Sequence, residues 1–141
     1  MRKFLWALLA LSASVVVAGL VWEPLVATEY SAPPPRKYDV EIARDSFGVP
    51  HINGKTDADT AYGLAYAHAE DDFSTIEDVV AMTRGRYGAL AGSDGAKVDY
   101  VLHFLGARET AERRYTELSP EVRAVAEGYA AGLNHYAKKH P

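Results

Sequence analysis

Cysteine is absent from all 141 residues. That excludes a disulfide scaffold, a thiolate nucleophile and thiolate zinc sites. It also excludes lipid attachment at an N-terminal Cys, and it is compatible with an exported protein. Positive charge is scarce as well. Fifteen Lys and Arg face nineteen Asp and Glu, a formal charge of −4. Without Arg2 and Lys3 the balance is 13 against 19, or −6. Binding a phosphate backbone needs clustered Lys and Arg, so nucleic acid is not an expected partner. The pairs Arg113-Arg114 and Lys138-Lys139 sit beside acids or at a chain end and read as solvated helix surface.

What is present begins with a short positive start, Met1-Arg2-Lys3, and an uncharged run from Phe4 to Trp22. Val16-Val17-Ala18 offers small or tolerated side chains at the −3 and −1 positions of a cleavage site. Residues 1–28 therefore read as a secretory signal peptide, or as a membrane anchor if uncleaved, since about 20 apolar residues span a bilayer. Either form places the remainder in the periplasm or outside the cell, touching the inner membrane only if the leader stays. Residues 29–37 form a linker, because Pro33-Pro34-Pro35 favours extended polyproline geometry. Removing the leader leaves roughly 110 residues, enough for one modest core.

Tyr38, Val40 and Ile42 alternate with polar residues, the pattern of a strand with one buried face. Asp45-Ser46-Phe47-Gly48 has turn chemistry, and Val49 to Asn53 resumes an extended run. Pro50 confines that second strand to an edge. The spacing predicts a long helix from Asp57 to Arg84, capped by Thr56 or Asp57. Its apolar seam is Tyr62, Tyr66, Ala69, Phe73, Ile76 and Val80. Gly85, Gly88, Gly92 and Gly95 are expected to make turns, and a second helix to cover Val98 to Glu117. Ser119-Pro120-Glu121 starts a third, with a stripe of Val122, Val125, Tyr129, Leu133 and Tyr136. An isolated hairpin is marginal, so this one is expected to join a larger sheet encoded after Pro141.

No complete active site emerges from the residues. His68 stands three and four residues before Asp71 and Asp72, a spacing that can share a helix face and could begin a metal site. The simpler reading is a hydrogen-bonded histidine, because a site needs three or four converging ligands. His51 lies on the edge strand; His103, His135 and His140 lack a partner pattern. Ser46, Ser74, Ser93 and Ser119 are available hydroxyls, but none sits in a Gly-x-Ser-x-Gly elbow. Ser46 reads as a turn residue and Ser119 as a cap. Gly85, Gly88 and Gly92 lack the Gly-Lys-Ser/Thr ending of a phosphate loop.

Four blocks nevertheless resemble the opening of penicillin-acylase-like enzymes, in order and spacing, from Tyr38 onward. They are Val40 to Ile52, Ala61 to Asp72, Arg84 to Gly92, and Leu118-Ser119-Pro120-Glu121 followed by Gly128 to Asn134. The acyl-homoserine-lactone and aculeacin acylases are similar relatives, and Glu70-Asp71-Asp72 looks closer to these. The resemblance implies an α+β fold: the N-terminal fragment of an αββα N-terminal-nucleophile hydrolase, a β-hairpin followed by about three helices. Residues 38–141 would be an incomplete part of the α chain. It implies a precursor whose autocleavage exposes a serine at the start of a β part. That serine's own α-amino group acts as base. The substrate would be a small N-acyl amide, such as a β-lactam antibiotic or an acyl-homoserine lactone. The family's calcium ligand and acyl-pocket helix would lie beyond Pro141, with the β part as partner. The resemblance therefore assigns no catalytic, cofactor-binding or metal residue within this stretch. A different class of reading is a free-standing, membrane-tethered helical binding module.

Overall fold

The computed structural model describes residues 36–141, together with Trp6, Ser12 and Ser14. Apart from these three, and Arg36 and Lys37 of the linker, the leader expected over 1–28 and the linker over 29–37 lie outside the described residues. Residues 37–141 form one compact unit. Among the described residues no helix is long and apolar enough to cross a membrane.

The unit opens with an antiparallel hairpin, β1 (Val40–Arg44) and β2 (Pro50–Gly54), in the register Val40 to Gly54 and Ile42 to Ile52. Asp45 closes the turn: its carbonyl accepts from Gly48 N at 3.0 Å, and Gly48 takes a φ of 83°. Helix α1 (Asp57–Thr83) follows. Thr56 caps it, and Asp59 completes a capping box by accepting from Thr56 N at 3.0 Å. The same carboxylate accepts from Asp39 N at 3.0 Å and is buried, so one group ties the helix start to the hairpin. Asp72 interrupts α1 with φ −156° and caps the second segment, accepting from Thr75 N at 3.3 Å. Aspartate competes with the helical backbone in this way.

Beyond α1 the order departs from expectation. Gly88, expected in a turn, opens a helix, α2 (Gly88–Leu105), which bends at Gly92 where φ is 66°. Asp99 accepts from Tyr87 N and Gly88 N, both at 2.8 Å, and so supplies the cap that the local sequence lacks. Gly95, also expected in a turn, is buried within α2. The single helix expected from Val98 to Glu117 is broken at Gly106, whose left-handed conformation ends α2. Helix α3 (Ala107–Arg114) and a 3₁₀ turn (Tyr115–Glu117) complete that stretch, and α4 (Pro120–Lys139) closes the unit. Ser119 caps α4, accepting from Val122 N at 3.4 Å. The hairpin is followed by four helices, in keeping with the expected hairpin and about three helices, the extra one arising from the break at Gly106.

The core is built from small residues. Ala58, Ala61, Ala65, Ala67 and Ala69 are buried along α1, with Ile76, and among the described residues no large side chain is fully enclosed. The hairpin lies over Gly63, where a Cβ would come within 2.8 Å of Ile52 Cγ2. Helix α4 approaches through Gly128 and Gly132, where a Cβ would collide with the carbonyls of Ala58 and Tyr62. The α4 stripe is accordingly shifted. Tyr129, Leu133 and Tyr136 are half-buried, whereas Val122 and Val125 are exposed. The tyrosines of the α1 seam meet α4 aromatics: Tyr66 packs edge-on against Tyr136 at 5.7 Å, and Phe73 lies 5.1 Å from the same ring. Part of α2 stays uncovered, with Tyr100 71% and Phe104 79% exposed.

Gly132→Ala should destabilise the unit by about 1–3 kcal/mol, the usual cost of overpacking. Chemical denaturation checks this; a variant as stable as the parent would show that α1 and α4 are not in backbone contact.

Candidate functional site

Polar chemistry gathers at two places. The first is the junction of the hairpin turn with α1. Arg44 Nη1 donates to Gly48 O at 2.8 Å, and Nη2 reaches Ala67 O at 3.3 Å. Nη2 also pairs with Glu70 at 3.1 Å and Asp71 at 2.9 Å. The hydrogen bonds to Glu70 and then Asp71 raise the Arg44 pKa further. Beside it, Asp45 accepts from Phe47 N at 2.9 Å, Val49 N at 3.0 Å and His51 Nε2 at 3.3 Å. The Val49 amide, then the Phe47 amide, hold the Asp45 carboxyl below its ordinary value, with a smaller contribution from His51.

The residues weighed for metal binding separate here. His68 Nδ1 bonds Tyr129 Oη at 2.9 Å, Asp71 pairs with Arg44, and Asp72 caps Thr75. The Thr75 hydroxyl and amide lower the Asp72 pKa. Among the described residues no three His, Asp or Glu side chains converge as metal ligands. His135 bonds the Tyr62 hydroxyl and lies 5.2 Å from the Tyr66 ring. Burial, then the neighbouring tyrosines, raises the Tyr62 pKa. His140 stacks on Tyr136 at 4.3 Å, and His103 lies against Gly85. Ser46 lies in the hairpin turn, Ser74 contacts Asp72, Ser93 follows the α2 bend and Ser119 is a cap. None of these four hydroxyls bonds a histidine, so no nucleophile and base are assembled from them. The basic pairs are surface groups: Arg114 pairs with Glu117 at 2.9 Å, and Lys139 lies 5.6 Å from the Tyr66 ring centroid.

The second place is an open cleft of about 580 Å³ between α1 and α4, closed at one end by the turn into α2. Phe73, Ile76, Val80, Leu90 and Leu133 line it, with Glu77, Arg84 and Arg86 among them. Sequence reasoning overlooks both Arg44 and this cleft. Arg44 enters the pattern only as a strand residue; its charge match with Glu70-Asp71 is the signal that finds it. The cleft has no local signal, because its walls are separated by some fifty residues of chain.

Residues 39–141 match the penicillin amidase family. The acyl-homoserine lactone acylase QuiP of Pseudomonas putida is 33% identical over 101 residues, covering 70% of this chain and 12% of that protein. The penicillin acylase 2 proenzyme of Pseudomonas sp. strain SE83 is 29% identical over 97 residues, covering 69% of this chain and 12% of that protein. The solved thermostable penicillin G acylase from Alcaligenes faecalis fits with a TM-score of 0.65 at 27% identity, over 74% of this chain and 55% of that one. Hairpin and helices together thus have the α+β architecture of an N-terminal-nucleophile hydrolase fragment. The chain belongs to the penicillin amidase family. It spans 12% of the length of these two acylases.

Arg44→Gln should speed hydrogen exchange of the β1 and β2 amides while helical circular dichroism stays unchanged; unaltered strand exchange would remove Arg44 as the anchor. Asp45 has a depressed folded pKa, so its contribution is complete above the unfolded value near 4 and is lost as pH falls through the folded value. A carboxyl titration by NMR should place the Asp45 midpoint below that of an unstructured aspartate.

Proposed function

We propose that this chain is the N-terminal portion of an exported acylase that hydrolyses the amide bond of a small N-acyl substrate. The match to one acylase family from residue 39 to residue 141 carries the reading. The fit to a penicillin G acylase supports it at the level of the backbone. The nucleophile would be a serine freed at the start of a β part of the same precursor, with its own amino group as base. Oriented donors would hold the oxyanion. Residues 38–141 would then contribute scaffold, with the hairpin extending a larger sheet through its outer edges and the β part covering exposed apolar residues such as Tyr100 and Phe104. The substrate would be a β-lactam antibiotic or an acyl-homoserine lactone, the two classes that the relatives' names give for those proteins. A calcium ion, if the whole polypeptide binds one as its family resemblance implies, would take its ligands from residues encoded after Pro141. The uncharged run behind Arg2 and Lys3 supports delivery to the periplasm or beyond.

The test is to extend the reading frame past codon 141 and assay the longer product. A Gly-Ser processing junction should follow, and the matured protein should release acid from phenylacetyl or long-chain acyl amides. Replacing the exposed serine with alanine should abolish release. The 141-residue chain alone should show no turnover. Hydrolysis by that chain, or a longer frame without such a junction, would overturn the assignment.

A further inference from the structure

We propose that the cleft between α1 and α4 is a binding site for a small amphiphilic carboxylate, its apolar chain on the cleft floor and its acid group at Arg84 and Arg86. The volume of about 580 Å³ lies in the range of small-molecule sites, roughly 300–1,000 Å³. The floor of Phe73, Ile76, Val80, Leu90 and Leu133 offers only apolar side chains. Such a surface favours a hydrocarbon by removing both partners from water.

Charge selects the head group. Arg44, Arg108 and Arg114 each pair with carboxylates of this chain. Arg84 and Arg86 form no such pair among the described residues, although acids outnumber bases in the sequence. Their backbone is fixed, with Arg84 N bonded to Val80 O at 3.2 Å and Arg86 N to Ala81 O at 2.9 Å. Two guanidinium groups therefore start from a defined turn at one end of an apolar floor. A planar guanidinium fork fits a carboxylate in bidentate fashion. Glu77, the acid in the lining, precedes Arg84 by seven residues, about 10 Å along the helix axis. It stands beside the floor; the nearer acid is Asp99, whose carboxylate is occupied by the Tyr87 and Gly88 amides at 2.8 Å and forms no ion pair with either arginine. The end of α1 presents the negative pole of its dipole there, which one cation would offset only in part. Two cations outnumber the single Asp99 carboxylate at this turn. A ligand with a cationic head is repelled, and a neutral one leaves both arginines unused.

The inference does not depend on the acylase reading, because it concerns binding without turnover. The 141-residue chain is titrated calorimetrically with dodecanoate, dodecanol and dodecyltrimethylammonium, each below its micellar concentration. Dodecanoate should bind about tenfold or more tightly than dodecanol, the margin of a charge-assisted pair. The ammonium compound should bind more weakly than either. Added salt should weaken dodecanoate and spare dodecanol. NMR shifts should fall on Ala81, Leu90 and Ala137. The double variant Arg84→Gln, Arg86→Gln should lose the preference for the acid and keep the affinity for the alcohol. The head-group series on the unaltered chain stands even if that variant fails to fold. Equal affinity for dodecanoate and dodecanol, or shifts confined to the exposed Tyr100 and Phe104 face of α2, would overturn the proposal.

Discussion

The architecture depends on how closely three backbones approach one another at α1. The hairpin rests on Gly63, and α4 seats Gly128 and Gly132 against the carbonyls of Ala58 and Tyr62. Between them run five buried alanines. Cohesion here comes from many short contacts between small groups, each weak and together substantial. Dense packing of this type leaves little room for an added methyl. The aromatic side chains lie around the close contact, and Tyr38 stacks on Tyr62 at 4.5 Å to extend it toward the strand.

Two charged groups fix how the hairpin sits on that surface. Asp59 gathers donors from the helix cap and from the residue preceding β1. Arg44 binds the other end of the hairpin to α1 through Glu70 and Asp71, while also holding the turn carbonyl of Gly48. The ion pairs are partly exposed, so their value lies in orientation more than in stabilisation. The turn is shaped from within by Asp45, which satisfies two amides that a tight reversal leaves open.

Much of this was legible from residue patterns. Alternation found the hairpin, and capping chemistry at Thr56 and Ser119-Pro120 found the starts of α1 and α4. The interruptions were harder. Asp72 reads as an ordinary helix residue until its carboxylate is seen bonding Thr75, and Gly88 needed the distant Asp99 as a cap. Periodicity weighs large apolar side chains, so it placed Val122 and Val125 inside and undervalued Gly128 and Gly132. The candidate site was still less visible. His68, Asp71 and Asp72 share a stretch of helix but point to three different partners. The cleft joins residues 73–90 with residues 130–137, a proximity that no local spacing encodes.

The interruption at Asp72 partitions α1 into two modules. Residues ahead of it carry the hairpin, and those behind it form one wall of the cleft. Helix α4 bridges the two, seating Gly128 and Gly132 on the first and lending Leu133 and Ala137 to the cleft beside the second. A substitution that shifts α4 would therefore be felt at both the cleft and the strand-bearing end of α1.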